Sequence, residues 1–291
     1  MTGATPPITG LPSHGHGWTL DNARMAKSKV RNATPARDEL VAHLVRSRIA
    51  GDVATPRDNN LAHYRELAEG NRHFWLGLEL GDRWTDERAV LEVMAQRCGV
   101  VADPNHVSGQ DTINAELTVD ALERVAVRLR KAIAGEQRVL FATGHPAGML
   151  PVHQAVARSL RLVGCRLVTP AEGLYADNGD VRLIGGVSAL HRGGNLLHTH
   201  SPDPMTAILD ALERDDLPMP DLVFADHGWA GCAAQRGIDT IGFADCNDPA
   251  LFVGEAEGTI AVTVPLDDNV PPHLYDPMTE YLLEMAGLFD D

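Results

Sequence analysis

Lysine is scarce in this 291-residue chain. Only three of its 25 basic residues are lysine, so any grip on phosphate has to come from arginine or from backbone N–H groups. Cysteine is scarce too. Cys98, Cys165, Cys232 and Cys246 form no CxxC pair, and the first three sit in apolar company, which points to buried free thiols in a reducing compartment. No apolar run is long enough to span a membrane, and no early stretch reads as a secretory signal. The expected location is therefore cytoplasmic, with no membrane partner. Clusters of lysine and arginine are missing as well, which disfavours nucleic acid as a partner.

What is abundant is acid. The net charge is −15, and it is unevenly placed: from Asp203 onward there are 19 acidic and 2 basic side chains. Most of these charges belong to an ordinary solvated surface, but such a segment also suits metal cations. With 44% hydrophobic residues, the chain can bury a substantial core.

The chain divides into three stretches by pattern. Residues 1–20 are rich in Gly, Pro, Ser and Thr and read as a flexible tail, with His14 and His16 between glycines. Residues 21–134 read as a helical subdomain, with helices expected over 58–69, 73–80, 86–97 and 119–133, the last capped by Thr118. Residues 100–117 read as a loop. From 135 to 291 short apolar strands alternate with helices, the pattern of an α/β, doubly wound, mostly parallel sheet of Rossmann-like type. Strands are expected at 138–143, 165–169, 181–184, 187–190, 195–200, 221–226, 239–245 and 259–264. In such sheets ligands bind at the carboxyl ends of the strands.

Several motifs fall at that edge. Thr143-Gly144-His145-Pro146 joins a strand to a helix; its glycine and helix-start N–H groups could hold phosphate, and His145 could donate a proton. It matches neither the dinucleotide nor the Walker pattern. Asp226-His227-Gly228 ends another apolar strand with a carboxylate that packing does not explain. Asp245, Asn247 and Asp248 follow the next strand, and Asp267 and Asp268 the one after. Asp226, Asp245, Asn247, Asp267 and Asp268 offer the hard oxygen ligands that Mg²⁺ or Mn²⁺ takes. Asp248 precedes a proline, as do Asp203 and Asp276, and reads as a helix cap. His198 and His200 alternate on an expected strand, so both imidazoles share a face, to touch substrate, to ligate metal or to serve structure.

Between Leu40 and Leu288 the chain resembles a bacterial family, actinobacterial in type, catalogued simply as phosphatases. The resemblance is carried by Arg48-Ile-Ala-Gly-Asp-Val-Ala-Thr-Pro56 with Asn59-Asn60, His73-Phe-Trp-Leu-Gly-Leu-Glu79, Val139-Leu-Phe-Ala-Thr-Gly-His-Pro146, His198-Thr-His200, Ala225-Asp-His-Gly-Trp-Ala-Gly231, Asp245-Cys-Asn-Asp-Pro249 and Pro265-Leu-Asp-Asp-Asn269. Met149 and Pro151 depart from the Leu and Asp expected there. In outline the chain also looks like the damage-control phosphatases. The resemblance implies hydrolysis of a small phosphorylated substrate.

The residues add a mechanism to be tested. The divalent cation would sit on the aspartates, Thr143 and Gly144 would hold the phosphate, and His145 or His227 would shuttle protons. Water or Asp226 would attack, and the lack of a DxD signature favours water. A sugar-phosphate isomerase or lyase, or a sensor of phosphorylated metabolites, uses similar residues, and homo-oligomerisation stays open.

Overall fold

The computed structural model describes residues 34–288. The expected tail at 1–20 lies outside the described residues. From Thr34 on, the chain forms one compact unit.

β1 (Gly51–Pro56) and β2 (Gln110–Ile113) pair antiparallel as a small separate sheet. The main sheet holds β3 (Arg138–Thr143), β4 (Arg166–Leu167), β5 (Tyr175–Ala176), β6 (Gly179–Ile184), β7 (Val187–Arg192), β8 (Asn195–Leu196), β9 (Leu222–Asp226), β10 (Thr240–Ala244) and β11 (Val262–Pro265). Its order is β11-β10-β9-β3-β7-β6-β5, with β4 beside the start of β3 and β8 beside the end of β7. From β11 to β7 every pairing is parallel; β6 and β5 extend the sheet antiparallel. The mostly parallel α/β sheet expected from the sequence is therefore present. The physical reason lies in β9, β10 and β11, which are buried at every position and need cover on both faces.

The strand order reverses between β3 and β9. From β3 the chain runs out towards β4 and β7, and it later returns to lay β9, β10 and β11 on the other side. At such a switch point neighbouring connections part and leave a crevice above the carboxyl ends.

Some local expectations give way. β1 and β2 lie in stretches read as helical or loop, because both are short, partly polar and paired in a sheet only with each other. The expected helix at 73–80 is a single 3₁₀ turn, Arg72–Trp75, since Leu76 and Gly77 adopt left-handed backbone with φ of 52° and 83°. The strand expected over 195–200 stops at Leu196. The helix Ala115–Ala134 is capped by Asn114, whose Oδ1 accepts from the N–H groups of Glu116 and Leu117. Thr118 instead donates its hydroxyl to the Pro265 carbonyl at 2.8 Å, tying that helix to the end of β11. No described helix is long and apolar enough to cross a membrane.

The turn at Leu76 packs directly on the helix His227–Gln235. A Cβ built on Gly231 would lie 2.0 Å from the Leu76 carbonyl oxygen, a backbone atom that cannot swing aside. Gly231→Ala is therefore expected to cost about 2 kcal/mol or more, at the upper end of overpacking effects. Urea unfolding checks this, and wild-type stability would mean that the two segments part easily.

Candidate active site

Asp226 ends β9 at the switch point and is completely buried. Its Oδ2 accepts the Thr143 hydroxyl at 2.6 Å. Its Oδ1 accepts the backbone N–H groups of Gly144 at 2.6 Å and His145 at 3.1 Å, and lies 2.9 Å from His227 Nδ1. Four donors thus converge on one carboxylate. They hold its ionised form, against the cost of burial, and its pKa lies well below the usual range. His227 has left-handed backbone, φ 49°, uncommon outside glycine. With Nδ1 fixed on Asp226, its Nε2 faces the opposite way.

Two close approaches bring the next histidines in. A Cβ on Gly144 would meet the Thr199 carbonyl oxygen at 2.5 Å, and one on Gly228 would meet the His200 carbonyl oxygen at 2.2 Å. Because neither residue has a Cβ, the segment 198–201 lies against both strand ends, and Thr199 N–H donates to the Gly144 carbonyl at 2.9 Å. The rings of His145, His198, His200 and His227 then pack together, each with centroids 4.3–5.1 Å from another.

These imidazoles line a cavity of about 590 Å³ together with Asp245, Asn247, Asp248, Asp267 and Asp268. Three donor groups stand out: His145 with His198 and His227; His200 with His227 and Asp248; and Asp245 with Asp267 and Asp268, the donor atoms of each lying within 4.8 Å of one another. The side of β1 closes the third group, where Thr55 donates its hydroxyl to Asp245 at 2.7 Å and Ala54 N–H to Asp267 at 3.3 Å.

Apart from His227 Nδ1 on Asp226, the contacts between these imidazoles and the cavity's carboxylates are too long for hydrogen bonds. His227 Nε2 lies 3.4 Å from Asp248 and 3.6 Å from Asp268, His145 Nδ1 3.4 Å from Asp268, and His200 Nδ1 3.6 Å from Asp248. Two ligands of one tetrahedral cation with bonds near 2.1 Å stand roughly 3.4 Å apart. His145 Nδ1, His200 Nδ1 and Asp268 Oδ2 are buried without any hydrogen-bond partner. Native proteins rarely leave such atoms orphaned. The donor set therefore fits a divalent cation.

The charges agree with this. Among the described residues no lysine or arginine pairs with Asp245, Asp248, Asp267 or Asp268. Burial raises Asp248 to about 6, and burial with the neighbouring Asp268 and Asp267 raises Asp245. Burial works against a proton on His227, but Asp226, Asp248 and Asp268 outweigh it and lift the pKa to about 10, drawing to Nε2 a positive charge that a bound cation would supply in the proton's place. Burial and the charge of His227 lower His198 to about 4 and His200 to about 2, which keeps both neutral and free to ligate.

The structure redistributes the roles read from the sequence. Thr143, Gly144 and Asp226 lie behind the cavity wall. The N–H groups of Gly144 and His145, expected to hold phosphate, are taken by Asp226. Asp226, expected to ligate metal or attack, has both oxygens engaged by protein donors. Gly144 is required for contact with Thr199. Asp248 is not a cap: its side chain makes no capping hydrogen bond and turns towards His200 and His227. The signal was its position four residues beyond a buried strand. Asp203 and Asp276 are not caps either; each stands at the first helical position, away from such a strand end. Asn247 lines the cavity, and its carbonyl oxygen lies 2.8 Å from His63 Nδ1. Thr55 escaped notice because its strand did.

Residues 35–290 match the profile of a family described as Phosphatase. Phosphatase SCO2771 of Streptomyces coelicolor is 64% identical over 256 residues, covering 88% of this chain and 98% of that protein. Both agree with the resemblance drawn from the motifs.

Asp226→Asn exchanges one acceptor oxygen for an NH₂ group facing donors inside a closed network. The expected cost is about 3 kcal/mol or more, as for other broken buried charge networks. Urea unfolding measures it, and a loss below about 1 kcal/mol would show that Asp226 does not organise the strand ends.

Proposed function

The chain belongs to the phosphatase family, and from that premise we propose that it hydrolyses a small phosphomonoester with the help of a bound divalent cation. The observation that carries the metal reading is the set of buried, unpartnered atoms His145 Nδ1, His200 Nδ1 and Asp268 Oδ2, which converge on one cavity. His145, His198, His200, His227 and Asp248 are the residues that would hold the cation, with Asp245, Asp267 and Asp268 offering a harder, all-oxygen position. Mixed imidazole and carboxylate donors favour Mn²⁺, Fe²⁺ or Zn²⁺ over Mg²⁺. When bound, such a cation polarises the phosphoryl group and lowers the pKa of a water molecule.

The protein's own share is orientation. Asp226 fixes the His227 ring through Nδ1, so Nε2 is the atom presented to the cavity. Its oxygens being engaged, Asp226 is not free to form a phosphoryl-enzyme, and water is the nucleophile of this reading. Asp245 is held by Thr55 and by the N–H of Cys246 at 2.6 Å, so it keeps a single orientation. A phosphate ester brings two negative charges into a cavity lined by four carboxylates, so the cation is needed for binding as well as for chemistry.

The experiment is phosphate release from 4-nitrophenyl phosphate and a panel of phosphorylated metabolites, before and after chelation. Activity is expected to vanish with chelation and to return more fully with Mn²⁺ than with Mg²⁺. Undiminished turnover in protein shown to be metal-free would end the metal reading. Asp248→Ser keeps a capping hydroxyl, so a cap would tolerate it. As a ligand, Asp248 should lose roughly 100-fold or more in turnover, beyond what outer-shell partners typically cost.

A further inference from the structure

With the Gly144–His145 N–H groups occupied by Asp226, the cavity needs another grip for phosphate oxygens. Arg48 is the only arginine or lysine among the described residues that line it. It follows the helix Arg37–Arg46 and has left-handed backbone, φ 61°, at a helix end where glycine is the usual residue. An arginine there carries backbone strain that glycine would avoid, and strain of this kind collects at functional positions.

Its side chain is held in one orientation. Nε donates to the Asp52 carbonyl at 3.1 Å and Nη2 to the Val53 carbonyl at 3.0 Å, both at the β1 strand that also steadies Asp245 and Asp267. Among the described residues Nη1 has no partner and no carboxylate comes within ion-pairing distance; the charge acts on Asp267 only from beyond that distance. Nη1 and the second hydrogen of Nη2 remain side by side, the fork that matches two oxygens of a phosphoryl group.

We propose that Arg48 binds the non-bridging oxygens of the substrate's phosphoryl group, the task that the sequence alone assigns to the Gly-His-Pro loop. The proposal rests on the phosphatase reading. Arg48 touches oxygens present in ground state and transition state alike, so its loss acts mainly on KM.

The test uses the full chain supplied with Mn²⁺. Inorganic phosphate is titrated calorimetrically, and initial rates are taken on 4-nitrophenyl phosphate, for wild type, Arg48→Lys and Arg48→Gly. Glycine is at home at this φ, so Arg48→Gly removes the guanidinium without adding backbone strain. Lysine keeps the charge but not the fork. The phosphate dissociation constant should rise roughly tenfold in Arg48→Lys and roughly a hundredfold in Arg48→Gly, with KM following and the Mn²⁺-induced rise in Tm retained. If one variant does not fold, the other decides.

Wild-type phosphate affinity in a folded variant overturns the proposal, as does wild type that binds no phosphate at all. If wild type binds phosphate and the variants lose it, yet no phosphomonoester is hydrolysed, Arg48 stands as an anion site and the hydrolase reading falls. If the variants bind and hydrolyse like wild type, the hydrolase reading stands without Arg48.

Discussion

The carboxylate of Asp226 sits where β3 and β9 part, and the rest of the site takes its place from the donors it accepts. By binding the N–H groups of Gly144 and His145 it shapes the turn out of β3 and places the His145 side chain. By engaging His227 Nδ1 it turns the opposite nitrogen to the cavity. The segment carrying His198 and His200 then rests on Gly144 and Gly228, whose positions follow from that same pair of strand ends. A single buried charge thus orders four imidazoles drawn from three parts of the chain. Its own desolvation is offset by four donors, the condition under which an interior charge can persist.

Above this organised base lies an electrostatic imbalance. Asp245, Asp248, Asp267 and Asp268 are all buried; neutral hydroxyl and N–H donors hold Asp245 and Asp267, and among the described residues the only side chains within ion-pairing distance of Asp248 and Asp268 are histidines. A crevice that holds four carboxylates with no lysine or arginine ion-paired to them among the described residues is suited to positive charge from elsewhere. The acid-rich last third of the sequence is therefore not all solvated surface, since these four charges face inward. Arg48 stands near them without pairing with any, held by backbone carbonyls rather than by the aspartates.

The sheet was legible because buried parallel strands leave an apolar signature in the sequence, and its carboxyl edge followed from topology alone. His145, His227, Asp245, Asp267 and Asp268 were legible for the same reason: polar residues placed just past apolar strands have little structural purpose. His198 and His200 were noticed for their alternation on an expected strand, which in the structure stops at Leu196. What could not be read was which atom each residue turns to the cavity. Asp226 and Asp245 both end apolar strands, yet one faces a closed network and the other the crevice, and only the pairing of β3 with β9 decides which. Asp248 resembled a cap because local sequence rewards Asp before Pro, whereas its burial beside His200 and His227 is a tertiary fact. β1 was missed since its pairing with β2 joins stretches far apart in sequence, and with it went Thr55 and the anchors of Arg48.

His227 is shared by two of the three donor groups, and this sets a limit on stoichiometry. Nδ1 is committed to Asp226, so both groups claim the one lone pair on Nε2. A lone pair serves one cation at a time. The group containing His145 and His198 and the group containing His200 and Asp248 are therefore alternatives when each calls on His227, while the aspartate trio is independent of that choice. A metal centre of this design would fill at most two of its three positions with complete ligand sets, and a cation moving between the first two would have to turn on a single imidazole.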